Sequence, residues 1–156
     1  GINGVFKRVL LYPVPVIACL NGHAAANGAI LACACDFRLM RADKGFFFFP
    51  EVDIGIPFLP GMIAFLKKAI PYDTFNEMAL TGKRCTAKEM AARGVLVKAC
   101  DNEEALIAET MAFAKSLQKK RGVFGEMKRR LHAGIVEIID KEDPKYIEPL
   151  KLFWKD

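Results

Sequence analysis

The stretch NGHAAANGAILA at residues 21–32 decides the fold of this chain, together with PEVDIG at residues 50–55. In the first stretch, small residues follow an Asn-Gly turn, so backbone N–H groups stay accessible where a buried helix begins. In the second, Glu51 follows a run of phenylalanines, which predicts a partly desolvated carboxylate with a raised pKa. Accessible N–H donors and a desolvated carboxylate are the groups that enolate chemistry needs.

The hydrophobic pattern around these two segments alternates between strands and helices. Apolar or alternating runs predict strands at residues 16–20, 36–42, 46–49 and 95–99, and helices at 24–34, 61–70, 73–80, 102–121 and 124–140. Asp73 is the expected N-cap of its helix, and Thr86 with Glu89 forms a capping box that opens a further short helix. The tail after Pro144 is aromatic and basic, and we expect it to pack on the rest of the chain. Strand–helix alternation followed by a helical tail predicts the α/β class.

The composition predicts one folded domain of an intracellular protein. The chain has 156 residues, a hydrophobic fraction of 53% and twelve phenylalanines, which is enough to bury a sizeable core. Its five cysteines are odd in number and lie mostly in apolar segments, which predicts reduced, buried thiols. Cys33 and Cys35 lack a second pair of ligands, so they are interpreted as packing residues and no metal site is expected.

The net charge of +5 permits anionic partners, either phosphorylated ligands or nucleic acid. No run of aromatics interleaved with basic residues is present to stack bases, so no nucleic-acid partner is expected. The basic pairs and triplets at residues 67–68, 119–121 and 128–130 are equally typical of solvated helix faces. His23 and His132 have no telling partner and are interpreted as structural or exposed. The longest apolar runs are too short for a membrane span.

The motifs that follow one another along residues 14–99 resemble those of the crotonase superfamily, the enoyl-CoA hydratase/isomerase family. Residues 21–38 follow N-G-x-A-x-G-G-G-x-x-L-A and then C-D-x-R, except that Ala26 and Asn27 stand where the pattern has Gly. Residues 50–55 match P-E-x-x-x-G. Residues 81–97 match the later T-G-x-x-x-x-A-x-E-A-x-x-x-G-L-V pattern more loosely. The resemblance implies an α/β crotonase (ClpP/crotonase-like) fold of ββα-type units. It assigns residues 1–100 to the C-terminal portion of the core and 101–156 to a helical oligomerisation region, with the N-terminal part of the fold missing.

The resemblance also implies a site for an acyl-CoA thioester. The thioester oxygen would be bound by two sets of donors. The backbone N–H groups of Asn27 and Gly28 would supply the second, and the missing N-terminal part would supply the first. Glu51 would move the proton, while Asp53 falls at a variable position and is interpreted as structural or solvated. The expected pocket walls are Ala25, Ala26, Ile30, Pro50 and Ile56. No metal and no cofactor is expected, because coenzyme A is part of the substrate.

The apolar residue Ile30 decides between the reactions of the family. Hydratases use two carboxylates, one of them where this chain has Ile30, whereas shifting a double bond needs a single base. The resemblance therefore favours a Δ3,Δ2-enoyl-CoA isomerase with Glu51 as the lone base. The alternatives are a hydratase or acyl-CoA hydrolase that takes its base from another segment, a non-catalytic or RNA-binding relative, and an inactive fragment. A homotrimer or hexamer is expected, located in the cytoplasm if bacterial and in peroxisomes or mitochondria if eukaryotic.

Overall fold

The computed structural model describes residues 1–149 and 151–155, which form an α/β structure with parallel strands. The helices are α1 Ile2–Leu11, α2 Asn27–Ala34, α3 Glu51–Ile54, α4 Pro60–Ala69, α5 Tyr72–Thr81, α6 Ala87–Ala92, α7 Glu103–Ser116, α8 Arg121–Lys141 and α9 Pro144–Ile147. The strands are β1 Ile17–Leu20, β2 Ala24–Ala25, β3 Phe37–Arg41, β4 Phe47–Phe48 and β5 Lys98–Cys100. The order β1-β2-α2-β3-β4-α3 repeats a ββα unit, as predicted.

The strands form two small parallel sheets. One sheet has the order β1-β3-β5, with Ile17 opposite Phe37 and Leu39 opposite Lys98. The other pairs β2 with β4, with Ala24 opposite Phe47. Parallel strands need crossover connections, and α2 supplies the crossover between β1 and β3. In the second sheet both strands end at the same edge, and the two site segments follow them there.

The turn at Gly45, which precedes β4, packs on the turn at Gly22, which precedes β2. Gly45 has a φ of +93°, and a Cβ at this position would lie 2.6 Å from the carbonyl carbon of Gly22. Only glycine combines a left-handed backbone with so close an approach. The two turns therefore pack against each other, and the Ala24 N–H donates to the Phe46 carbonyl at 2.9 Å.

Several predicted elements have different bounds in the structure. The helix predicted from residue 24 begins at Asn27, because Ala24 and Ala25 pair with β4 instead. The strand predicted at 46–49 is limited to β4, and that predicted at 95–99 lies at β5. The N-cap of α5 is Pro71, not Asp73, which lies in the first turn of the helix. The capping box of Thr86 and Glu89 is confirmed.

The helices after residue 101 pack on the core, and α8 contacts both α1 and α4. The prediction of packing is confirmed for Leu152, which contacts the core, while Leu150 and Asp156 of the predicted helical region lie outside the described residues. Four cysteines are buried as predicted, but Cys19 is exposed because its side chain points out of β1; all five are free thiols. No helix of the described residues is long and apolar enough to cross a membrane.

Candidate active site

The first part of the candidate site is the beginning of α2, directly after β2. Ala26 is the N-cap and has φ +48° and ψ −128°, and its side chain makes no capping hydrogen bond. It is the one non-glycine residue with a positive φ among the described residues. Such a backbone is strained for an L-residue, and strain of this kind concentrates at functional sites. It places the exposed Asn27 and Gly28 at the N-terminus of the helix, where first-turn N–H groups have no intrahelical acceptor.

Cations hold the other end of α2. The Arg38 guanidinium donates to the carbonyls of Ala32 at 3.1 Å and Cys35 at 2.9 Å, and the Lys68 ammonium donates to the Cys35 carbonyl at 3.0 Å. Positive charge at the C-terminus of a helix complements the helix dipole. These bonds fix the helix axis, and with it the positions of the N–H groups at the opposite end.

The second part of the candidate site is Glu51, the first residue of α3. Glu51 is 7% exposed, and its Oε2 atom is buried without a hydrogen-bond partner among the described residues. Burial raises the pKa of this carboxyl above its ordinary value, as predicted, and a hydrogen bond from its own backbone N–H offsets part of the effect. Asp53 is exposed, so Glu51 is the desolvated acid of this segment.

A cluster of aromatic rings lies next to Glu51. Phe49 lies edge-to-face against Phe47, Phe58 and Phe75, with ring centroids 5.9, 5.5 and 6.2 Å apart. Gly55, in the left-handed conformation with φ +71°, ends α3, and the Ile56 N–H then donates to the Glu51 carbonyl at 3.0 Å. The chain thus turns back after α3, and the apolar residues Ile56 and Phe58 line the same cavities as Glu51.

Two cavities meet at Glu51. The Asn27 cavity, about 340 Å³, is lined by Gly1, Ile2, Asn3, Asn27, Ile30, Glu51, Ile56, Pro57, Phe58, Leu59, Met62, Ile147, Leu152 and Phe153. The Lys67 cavity, about 530 Å³, is lined by Glu51, Val52, Gly55, Ile56, Pro57, Phe58, Ile63, Lys67, Tyr72, Phe75, Asn76, Ala79, Leu80 and Trp154. Each volume lies in the range of small-molecule sites. Glu51 is the one carboxylate that lines either cavity in the described part of the chain.

The structure brings some of the predicted site residues together and leaves others aside. Asn27, Ile30, Glu51 and Ile56 line the Asn27 cavity. In the described part of the chain, neither cavity is lined by Ala25, Ala26, Gly28 or Pro50. Gly28 follows Asn27 in the sequence, and Pro50 precedes Glu51. The pocket walls predicted at Ala25, Ala26 and Pro50 are therefore not part of these two cavities.

Other lining residues escaped the sequence analysis. Met62 on α4 and Leu59, the N-cap of that helix, line the Asn27 cavity. Ile63 and Lys67 on α4 line the Lys67 cavity, which Trp154 also lines from the tail. The backbone N–H of Trp154 donates to the Gly55 carbonyl at 2.9 Å. The apolar spacing of α4 gave a signal for a buried face but none for the cavity that this face lines. No cluster of three His, Cys, Asp or Glu residues suited to a metal occurs among residues 1–149 and 151–155.

Known proteins match this chain in sequence and in fold. The family model for enoyl-CoA hydratase/isomerase matches residues 2–142. The chain is 32% identical over 144 residues to enoyl-CoA delta isomerase 3 of Arabidopsis thaliana, covering 87% of this chain and 59% of that protein. It is 31% identical over 150 residues to the peroxisomal enoyl-CoA delta isomerase 2 of the same plant, covering 93% and 62%.

A solved structure shows the same fold. An enoyl-CoA hydratase/isomerase family protein from Pseudomonas syringae superposes with a TM-score of 0.86 at 23% identity, covering 93% of this chain and 63% of that one. The chain thus spans about three fifths of the length of the proteins it matches. The predicted crotonase fold is confirmed, and the chain belongs to the enoyl-CoA hydratase/isomerase family.

Proposed function

We propose that this chain carries the acid–base half of a Δ3,Δ2-enoyl-CoA isomerase site. One observation carries the proposal: Glu51 has a buried carboxylate oxygen without a partner, at the junction of two largely apolar cavities. A base of this kind is poised to take a proton from carbon, because its raised pKa strengthens it and the apolar walls exclude water. The delta isomerase names of two relatives support the same reaction.

Among the described residues no second carboxylate lines either cavity, which favours isomerisation over hydration. Ile30, where hydratases of the family would carry an acid, is 1% exposed and lines the cavity with Glu51. Hydration benefits from two groups that position and deprotonate a water molecule, and an isoleucine does neither. Moving a double bond needs one base that takes a proton and returns it two carbons away.

The proposed steps follow from these positions. The Glu51 carboxylate removes a proton from C2 of a 3-enoyl-CoA, and the electron pair delocalises onto the thioester oxygen and the double bond. The Asn27 N–H donates to that oxygen, more strongly as its negative charge grows, so the enolate is stabilised more than the bound substrate. The Glu51 carboxylic acid then returns the proton at C4, which leaves the double bond between C2 and C3. No atom is gained or lost.

The test is conversion of a 3-enoyl-CoA to its 2-enoyl isomer by the purified chain, followed by the absorbance of the conjugated product. Glu51→Gln should lower kcat by about 100- to 10,000-fold, the contribution typical of a positioned acid–base group. Asp53→Asn, which removes an exposed carboxylate two positions away, should leave the rate within a factor of about two, since surface groups away from the site contribute little.

Two outcomes would overturn the proposal. An inactive wild-type chain would remove isomerisation from this chain as it stands, and hydration of a 2-enoyl-CoA with Glu51-dependent kinetics would assign it to the hydratases. Salt-sensitive binding of RNA without turnover would instead support a non-catalytic relative.

An assembly of three chains or a multiple of three is part of the proposal. The helix α8 exposes Val123, Met127 and Leu131 at a spacing of four residues, each more than half exposed. Residues at this spacing share one helix face, and an exposed apolar stripe is typical of a protein interface. Light scattering should give a trimer or hexamer, and a monomer at micromolar concentration would contradict it. If the source is eukaryotic, the peroxisomal and mitochondrial names of relatives favour one of these two compartments.

A further inference from the structure

The Lys67 cavity has an apolar middle between two charged ends. Glu51 lies at one end, and Ile56, Ile63, Phe75 and Ala79 form walls that a hydrocarbon chain can contact without losing hydrogen bonds. Lys67 lies one helical turn beyond Ile63 on α4, so this exposed charged residue follows the apolar wall along the helix. The Asn27 cavity is lined by Leu59, the N-cap at the other end of α4. At a rise of 1.5 Å per residue, Leu59 and Lys67 are about 12 Å apart along the helix axis.

Among the described residues, Lys67 has no acidic partner, whereas the buried Lys128 is paired with Asp36. Its ammonium lies 5.6 Å from the centre of the Tyr72 ring, and no carboxylate of the described residues lies within ion-pair distance of it. A cation over a ring keeps its three N–H donors available to a ligand. Asn76 lines the same cavity and adds an amide next to Tyr72 on α5. The cavity therefore ends in donors for an anion.

The apolar walls decide which anion reaches these donors. The arm of coenzyme A carries amides, which would be buried among Ile63, Phe75 and Ala79 without partners, at a cost in free energy. An acyl chain crosses the same walls with a gain, because its methylene groups leave water. The group that arrives at Lys67 is then the far end of the acyl chain.

We propose that this site prefers enoyl-CoA substrates whose acyl chain ends in a carboxylate, with Lys67 as the specificity-determining residue. The inference rests on the proposed function, since it places the acyl chain in the Lys67 cavity with its reacting carbons at Glu51. An exposed ion pair is worth up to about 1 kcal/mol, which corresponds to a preference of roughly fivefold over the matched chain without the carboxylate. The preference should shrink as salt is added.

Binding of saturated thioesters tests the inference without any turnover. Trp154 is the single tryptophan of the chain and lines the Lys67 cavity, so its fluorescence reports occupancy. The ligands are a monocarboxylic acyl-CoA, the mono-CoA thioester of the dicarboxylic acid of equal length, and coenzyme A alone. The variants are Lys67→Met and Lys67→Glu, with Lys115→Met as a charge-matched control because Lys115 is exposed on α7.

The wild type and Lys115→Met should bind the dicarboxylic thioester roughly fivefold more tightly than the monocarboxylic one. Lys67→Met should abolish this difference, and Lys67→Glu should reverse it. Equal affinities in the wild type would overturn the inference. So would a uniform loss with all three ligands in Lys67→Met, which would assign Lys67 to a phosphate of coenzyme A. Because saturated ligands cannot isomerise, an inactive Glu51 site and a wrong Lys67 assignment give different results.

Discussion

Two carboxylates in apolar parts of the sequence, Asp36 and Glu51, have opposite surroundings in the fold. The Asp36 side chain is 10% exposed, and its Oδ2 accepts from the Lys128 ammonium and from the Val16 N–H, both at 2.8 Å. Glu51 is only 7% exposed, yet its Oε2 has no hydrogen-bond partner among the described residues. A buried charge that holds the fold together is paired, whereas one that must accept a proton from a substrate is left unpaired. Each of the following substitutions tests that distinction.

The largest effect is expected when the paired carboxylate loses its cation. Lys128→Met leaves Asp36 buried with an uncompensated charge and should lower the free energy of unfolding by about 3–5 kcal/mol. Lys7→Met breaks the exposed pair with Asp140 and should cost at most about 1 kcal/mol. Urea unfolding of both variants measures the difference. Equal losses of unfolding free energy would show that the Asp36–Lys128 pair stabilises the fold no more than the exposed pair does.

A third buried carboxylate, Asp143, has neutral partners and should give an intermediate effect. It is fully buried and accepts from the Asn3 amide and the Gly61 N–H, both at 2.8 Å. Asp143→Asn turns one acceptor into a donor that faces another donor, so we expect a loss of about 1–3 kcal/mol. Urea unfolding measures it, with the exposed Asp140→Asn as control. A neutral result for Asp143→Asn would mean that these two hydrogen bonds contribute nothing net.

Removing the unpaired charge should have the opposite sign. Burial raises the pKa of Glu51 in the folded state, so the wild type loses stability as the pH rises from the ordinary glutamate value through that raised pKa. Glu51→Gln carries no charge at this position, so it does not lose stability in this way. At neutral pH it should be more stable than the wild type by about 1 kcal/mol. The advantage should vanish in acid, where Glu51 is protonated. Unfolding curves at several pH values measure it, and a variant that is less stable at neutral pH would contradict the unpaired state.

The smallest effect concerns the strained residue before Asn27. Ala26→Gly relieves a left-handed backbone at the cost of glycine's extra flexibility, for a net gain of about 0.5 kcal/mol. The matched control is Ala29→Gly, a buried position in α2, which should lose about 1 kcal/mol. Thermal unfolding of the two variants gives the signs. A loss in both would mean that Ala26 is not strained.

The sequence predicts the burial of Glu51 better than the bounds of the strands and helices around it. Glu51 is recognisable because its apolar neighbours imply desolvation, and the predicted pocket residue Ile30 lines a cavity with it. The strand β2 was missed because Ala24 and Ala25 are helix formers, and their pairing with β4 depends on a turn at Gly45 that packs from elsewhere in the chain. The cavities depend on contacts between distant segments, and periodicity within one helix does not encode these.

Activity and stability measured on one preparation of Glu51→Gln test the central claim most directly. The unpaired carboxylate predicts that isomerisation of a 3-enoyl-CoA falls by at least about 100-fold while the free energy of unfolding at neutral pH stays equal or rises. A loss of activity that is matched by a loss of stability would make Glu51 a structural residue like Asp36. Retained activity would remove it from the reaction altogether.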